Sequence, residues 1–362
     1  GNYDVTAFYG FNPRIGRLYF QSSKRGSIYR DIYSMNISGT NTVRFSQDKG
    51  TNEADFSADF SHFIQKYSSV TTPNRFTLNS GLNGSELRVL EDNSVLHDLV
   101  NRYGLNPKTF DSIYVNGNWL NTYVIKPKSI DLTKKYPVLM FQYSGPGSQQ
   151  VADRWNNAND YWHQYLVDQG LIVVCVDGRG TGLKGRDFKK VTQGKLGLYE
   201  VQDQIAAAQQ IAKWSNVNPD KIGIWGWSYG GFMSANCLFQ GEGVFSMAIS
   251  VAPVTSWRFY DSIYTERYMG LPQDNAQGYD AYAPLDHVSK MNGDLLLVHG
   301  TADDNVHVQN SMRLIDALVK ANKPFDWLIY PDKNHGIYGG YTRQHLYRKM
   351  TDFIQKNLMT NQ

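Results

Sequence analysis

The 362-residue chain carries 36 basic and 33 acidic side chains, a formal charge of +3, with 41% apolar residues and 24 tyrosines. So slight an imbalance gives no reason to expect nucleic acid or an anionic membrane surface as a partner, and no apolar run reaches the roughly 18 residues that a bilayer-spanning helix needs. The length suits two domains, and the two cysteines, Cys175 and Cys237, lie in apolar runs and read as buried thiols rather than a disulfide or a metal pair.

Residues 1–91 read as β-rich. Short apolar or alternating runs recur at 5–9, 17–21, 28–37, 63–68, 75–79 and 87–90, punctuated by Gly, Asn, Ser and Asp. Leu18-Tyr19-Phe20-Gln21-Ser22-Ser23 is echoed by Phe63-Ile64-Gln65-Lys66-Tyr67-Ser68-Ser69. The offset is about 45 residues, near the length of one propeller blade. Two blades cannot close a ring, which takes at least about four. The expectation is the last part of a β-propeller, with a small independent β-domain as the alternative.

Residues 92–103 predict a short helix, capped by Asn93 or Ser94 and stopped by Gly104 and Pro107, which puts the domain boundary between 91 and 92. Residues 110–126 alternate around Asn116-Gly117, a hairpin signal. Predicted strands then follow at 137–143, 171–177, 221–227, 245–251, 294–299 and 325–330. They alternate with helices at 157–169, 197–215, 229–239, 308–321 and 342–358. This pattern predicts an α/β domain over 92–362, a mostly parallel sheet covered on both faces, with its site at the carboxyl ends of the strands.

The chemistry centres on Gly226-Trp227-Ser228-Tyr229-Gly230-Gly231, between a predicted strand and a predicted helix. Gly-x-Ser-x-Gly at that junction is the nucleophile elbow of α/β-hydrolases. A serine hydroxyl is a weak nucleophile and needs a histidine base oriented by a carboxylate. In this fold class the order along the chain is Ser, acid, His. Asp303 lies just past the apolar run Leu295-Leu296-Leu297-Val298, and His335 lies in the loop past the next strand. Asp304 is the rival acid, and His299 reads as a structural group under the acid loop. Tyr229 N–H is the expected first oxyanion donor. For the second, the Tyr143 hydroxyl and a backbone amide from 145–148 are equally open. Asp177-Gly178-Arg179-Gly180-Thr181-Gly182 lacks the spacing of a nucleotide loop and reads as tight packing near the site. No cofactor or metal is expected.

Gly226-Trp227-Ser228-Tyr229-Gly230-Gly231, Tyr264-Thr265-Glu266-Arg267-Tyr268-Met269-Gly270, His299-Gly300-Thr301-Ala302-Asp303-Asp304-Asn305-Val306-His307 and His335-Gly336 together resemble the dipeptidyl peptidase IV branch of the prolyl oligopeptidase family of serine peptidases. The resemblance covers essentially the whole chain. It implies a triad of Ser228, Asp303 and His335, settling Asp303 over Asp304, and a Tyr143 hydroxyl completing the oxyanion hole. It implies that Tyr229, Val254, Trp257, Tyr260, Tyr264 and Val306 form a pocket for proline or alanine before the cut, and that Asn305 binds the preceding carbonyl. Aromatic walls suit a compact apolar pyrrolidine. The activity so implied is release of amino-terminal Xaa-Pro and Xaa-Ala dipeptides through an acyl-enzyme. An acylaminoacyl or tripeptidyl peptidase, an esterase of the same fold, or a non-catalytic binding fragment are the alternatives. An extracytoplasmic location and a homodimer using the last helix are also implied. That helix carries Leu346, Met350, Phe353, Ile354 and Leu358, a stripe that packing on its own sheet would equally explain.

One departure stands out. The family's dipeptidyl peptidases grip the substrate's free amino terminus with two adjacent propeller glutamates. Here the glutamates before residue 92 are Glu53, Glu86 and Glu91, none adjacent to another. The expectation is a fragment that keeps the chemistry and the proline pocket, lacks the ruler that counts two residues, and is weakly active alone.

Overall fold

A computed structural model of the chain describes residues 1–359. It divides into two compact units. The first comprises residues 1–105 with 151–161 and 182–189, and the second 106–150, 162–181 and 190–362.

The first unit holds two four-stranded antiparallel sheets. One is β1 (Val5–Asn12), β2 (Arg17–Ser22), β3 (Asp31–Asn36) and β4 (Val43–Arg44), paired in that order. The other is β5 (Thr51–Phe56), β6 (His62–Ser68), β7 (Arg75–Ser80) and β8 (Glu86–Glu91), likewise in order. The sequence echo falls on β2 and β6, the second strand of each sheet, so the repeat is one of structure. Four-stranded meanders of this kind are propeller blades. Their shared core is aromatic: Tyr19, Phe45 and Phe63 are buried with Ile32, and Phe56 and Phe60 pack alongside. The Tyr19 hydroxyl, buried with its ring, donates to Gly81 O at 3.0 Å. β4 and β5 were not predicted. Thr-Asn-Glu-Ala-Asp-Phe is a poor strand by propensity, yet Asn52 is fully buried and donates to Arg30 O at 2.8 Å. The predicted helix forms at Ser94–Tyr103 and stops at Gly104, in the left-handed region with φ 63°. Asn93 occupies its N-cap, but the side chain makes no capping bond and instead donates to Asn74 O.

The second unit is an α/β-hydrolase fold. Its eight-stranded sheet runs β16-β15-β14-β13-β11-β12-β10-β9. The members are β9 (Lys108–Val115), β10 (Asn118–Ile125), β11 (Tyr136–Phe141), β12 (Ile172–Asp177), β13 (Val217–Trp227), β14 (Met247–Val251), β15 (Asp294–Gly300) and β16 (Asp326–Tyr330). β11 to β16 are parallel, and the β9–β10 hairpin adds antiparallel strands at one edge. Asn116 and Gly117 turn that hairpin with φ of 51° and 75°, as the sequence signal required. The central parallel strands are apolar runs because both faces are covered; β12 and β14 are buried throughout. The helices Leu198–Ile211 and Tyr229–Gln240 pack together on one face. On the other, Trp225 meets Trp162 edge-on at 5.0 Å and donates to His163 Nε2 at 3.0 Å. In the last helix, Leu346, Met350, Phe353, Ile354 and Leu358 are all buried within this chain, so that stripe serves its own fold. The chain leaves β11 for β12 on one side and returns to β13 on the other. In sheets of this kind ligands bind outside the carboxyl ends of the strands, at such a reversal.

Candidate active site

The turn out of β13 consists of Ser228, with φ 63° and ψ −116°. A non-glycine residue there is strained by about 1–3 kcal/mol and must be held by its surroundings. The Ser228 amide donates to Val251 O on β14 at 2.8 Å. The flanking glycines are required by contact. A Cβ on Gly226 would lie 2.5 Å from Gly230 O, and one on Gly230 would lie 2.7 Å from Gln142 O. On Gly231 it would meet Val251 O at 2.6 Å. Three other non-glycine residues just past strands of this sheet share a positive φ: Ser144 after β11, Ala252 after β14 and Asp332 after β16, at 62°, 44° and 54°.

Asp303 follows β15 and is 5% exposed. Its Oδ2 accepts from His335 Nδ1 at 2.7 Å and lies 3.2 Å from His299 Nε2. Its Oδ1 accepts the amides of Asn305 and Val306 at 3.0 and 2.9 Å. Burial pushes the carboxyl up, but hydrogen bonds from His299 and His335, the His335 charge and the Val306 amide outweigh it, so the group sits well below the usual carboxylate range. With Nδ1 committed to Asp303, His335 Nε2 is the nitrogen free to serve a hydroxyl. The His335 carbonyl accepts from Trp227 Nε1 at 2.9 Å, which ties the histidine loop to the residue before the serine. Arg343 lies over the Trp227 ring at 4.9 Å and donates to Gly336 O at 2.7 Å, holding the same loop from the other side.

His299 is fully buried. Its Nε2 is 2.8 Å from Val306 O, an acceptor only, so Nε2 carries the proton and Nδ1 accepts from the Ser311 hydroxyl at 2.7 Å. The sequence reading made His299 a support for the acid loop, and the structure adds that it contacts the carboxylate itself. Asp304 is exposed.

Tyr143 follows β11, and its ring centroid lies 6.1 Å from that of Tyr229, the residue after Ser228. Burial raises the phenol, so it remains a protonated donor at neutral pH. Gly145 is needed beside it, because a Cβ there would lie 2.5 Å from the Tyr143 ring. Two of the competing amides are already used: Gly147 N donates to Gly180 O at 2.8 Å and Ser148 N to Gly145 O at 3.0 Å. The loop after β12 is thus packing material, and Arg179 within it pairs with Asp203 at 2.7 Å.

The aromatic residues named from the sequence come together. Tyr229 and Trp257 rings lie 5.4 Å apart, Trp257 and Tyr264 stack at 6.0 Å, and Tyr260 meets Tyr264 edge-on at 5.3 Å. Val254, Trp257 and Val306 are buried. Asn305 Oδ1 accepts from the Tyr260 hydroxyl at 2.6 Å, which leaves its amide N–H groups as donors. Two features escaped the sequence reading. Arg343 had no motif to mark it. Glu200, whose carboxylate receives the Tyr229 hydroxyl at 2.7 Å, was signalled only by its place three residues after Gly197 at a helix start.

An elbow serine at the switch point of a parallel sheet, with acid and histidine on the following strand ends, is the architecture of an α/β-hydrolase. The chain belongs to the prolyl oligopeptidase family, whose model matches residues 157–361. Residues 1–74 match the dipeptidyl peptidase IV (DPP IV) N-terminal region. The chain is 40% identical over 344 residues to the "Probable dipeptidyl-aminopeptidase B" of Podospora anserina, covering 93% of this chain and 37% of that protein. The protein of the same name from Pyrenophora teres f. teres is 40% identical over 339 residues, with 92% and 37% covered. The crystal structure of Porphyromonas gingivalis dipeptidyl peptidase 4 superposes with a TM-score of 0.96 at 46% identity, over 99% of this chain and 50% of that one. The chain thus spans about half or less of the length of these relatives.

Proposed function

We propose that this chain carries the catalytic machinery of a serine dipeptidyl peptidase that cuts after proline or alanine at the second position. The observation that carries the reading is the 2.7 Å Asp303–His335 bond on the same sheet edge as a strained elbow serine. Ser228 would attack the scissile carbonyl as His335 Nε2 takes its proton, with Asp303 fixing the tautomer and stabilising the imidazolium. The oxyanion would be held by the Tyr143 hydroxyl and the Tyr229 amide. His335 would then protonate the leaving amine, and water would release the acyl group by the same route. Proline or alanine would sit among Tyr229, Val254, Trp257, Tyr260, Tyr264 and Val306, and Asn305 would donate to the preceding carbonyl. The relatives' names support a dipeptidyl peptidase, and the aromatic walls support a compact apolar residue before the cut.

The three glutamates of the first unit do not form an amine-binding pair. Glu53 pairs with Lys66, Glu86 with Arg75, and Glu91 accepts the Asn93 amide. A fluorophosphonate probe is therefore expected to label Ser228 in this chain. Labelling should be lost in His335→Ala, and dipeptidyl-proline nitroanilides should turn over more slowly than with a full-length relative. Absence of labelling would sink the catalytic reading. A preference for short acyl esters over proline substrates by orders of magnitude would replace the peptidase with an esterase.

A further inference from the structure

The helix Leu198–Ile211 buries a carboxylate directly behind the residue that follows the nucleophile. Glu200 is 0% exposed. Its Oε1 accepts from the Tyr229 hydroxyl at 2.7 Å, and its Oε2 accepts from the Gly197 amide at 3.1 Å. Gly197 permits the arrangement. Its φ of 97° is glycine territory, and a Cβ there would lie 2.6 Å from the ring of Phe232 on the elbow helix. The first turn of one helix is thereby pressed onto the other. The N-terminal end of a helix also favours a negative charge. A neutral acceptor would satisfy a tyrosine hydroxyl at far lower desolvation cost than a carboxylate does.

We propose that Glu200 acts through Tyr229 as a positioning residue, setting the pocket wall and the oxyanion amide, and tying both to its own ionisation state. The inference rests on the catalytic reading above. Tyr229 is the link because its ring faces Trp257 in the pocket while its amide belongs to the turn beside Ser228.

The groups facing Glu200 are few. Tyr229 comes from the elbow helix, and Tyr264 from the helix Ser262–Met269, its phenol raised in small part by Glu200. Asp203 lies one turn along Glu200's own helix, paired with Arg179 and accepting from Asn116 at 2.9 Å. Burial pushes the Glu200 carboxyl up to about 7; bonds from Tyr229, its own backbone and Gly197 pull it down, and Asp203 adds to the rise. When ionised, both oxygens accept from their donors. Protonation puts a hydrogen on one oxygen, where it competes with Tyr229 or Gly197. The Tyr229 anchor is thus strong above about pH 7 and weakens below it. A histidine base loses activity to one proton on the acid side; Glu200 adds a second.

The test is the second-order rate of Ser228 phosphonylation by a fluorophosphonate, measured on this chain from about pH 5.5 to about pH 8.5. This readout does not depend on the grip on a substrate's amino terminus. The wild-type acid limb should be steeper than one proton over about one pH unit around pH 7, and Glu200→Gln should reduce it to one proton while slowing the reaction about tenfold at the alkaline end. Tyr229→Phe removes the same bond from the other partner and should match it, and the double variant should be no slower than either single one. Tyr229→Phe also keeps the test decisive if Glu200→Gln does not fold. An unchanged rate and slope, or independent losses that multiply in the double variant, would overturn the proposal while wild-type labelling leaves the catalytic reading standing. An inert wild-type Ser228 would remove both.

Discussion

Replacing His299 with leucine separates a support for the acid from the acid itself. Leucine keeps the site apolar and filled, but three polar contacts go: to Asp303 Oδ2 at 3.2 Å, Val306 O at 2.8 Å and the Ser311 hydroxyl at 2.7 Å. His299 and Ser311 are fully buried, so water cannot easily replace the lost partner. An orphaned buried acceptor costs about 1–3 kcal/mol, and a bond to a charged group is worth about 1.5–3 kcal/mol. The expected destabilisation at neutral pH is therefore about 3–5 kcal/mol. Chemistry should suffer less. The Asp303–His335 bond is untouched, and Oδ1 keeps its two amides. Ser228 labelling should slow about tenfold, against several thousandfold when a triad member is removed. The acid response should also move. Asp303 is held below the usual carboxylate range, so the stability it contributes is complete above its unfolded value of about 3.9 and is lost as pH falls through its lower folded value. Without His299 the folded value rises towards the unfolded one, so that loss should be complete at a higher pH and be smaller in total. Thermal unfolding at neutral and mildly acid pH, alongside labelling rates, measures both effects. If His299→Leu abolished labelling as fully as His335→Ala, His299 would belong in the proton path. If stability and acid response were both unchanged, the network would not be holding Asp303.

Two further perturbations test the geometry. Tyr143→Phe removes the hydroxyl proposed as an oxyanion donor and should lower kcat about 100-fold to 1,000-fold in a full-length relative, with little change in KM; an equal rise in KM would mark Tyr143 as a ground-state binder. Gly231→Ala places a Cβ 2.6 Å from Val251 O and 3.2 Å from Pro253, so β14 must move, and thermal melts should show a loss of about 2–4 kcal/mol. A melt within 0.5 kcal/mol of wild type would mean that the elbow is less tightly packed than its distances indicate.

The second unit was legible because its signals are local. Asn116-Gly117 turns where those residues must turn, and β11, β12, β14, β15 and the second half of β13 are apolar runs whose lengths suit strands. The order Ser228, Asp303, His335 follows from topology, since each sits past a strand of one sheet. β5 was hidden for the opposite reason. Its buried Asn52 is satisfied by Arg30 O and receives Gln65 Nε2 at 2.8 Å, partners distant in sequence, so the residues read as a loop. Glu200 was hidden likewise: a glutamate at a helix start usually faces water, and only the approach of the Tyr229 hydroxyl reveals otherwise. His299 was half legible. Its place at a strand end suggested support, but the tautomer that aims its proton at Val306 O and Asp303 depends on Ser311, twelve residues further along.

The way Asp303 holds its own loop bears on how such an enzyme can diverge. Oδ1 binds the amides of Asn305 and Val306, the two residues proposed to meet the substrate on that side, and Tyr229 adjoins Ser228 on the other. On the proposed reading, reactivity and the choice of residue before the cut are therefore written in the same few peptide units. A lineage that remodels this loop to accept a different side chain also disturbs its carboxylate. Changes of diet would come more readily from residues such as Trp257 and Tyr264, which touch the pocket but none of the reacting groups, or from parts of a longer protein that choose which end of a peptide is presented.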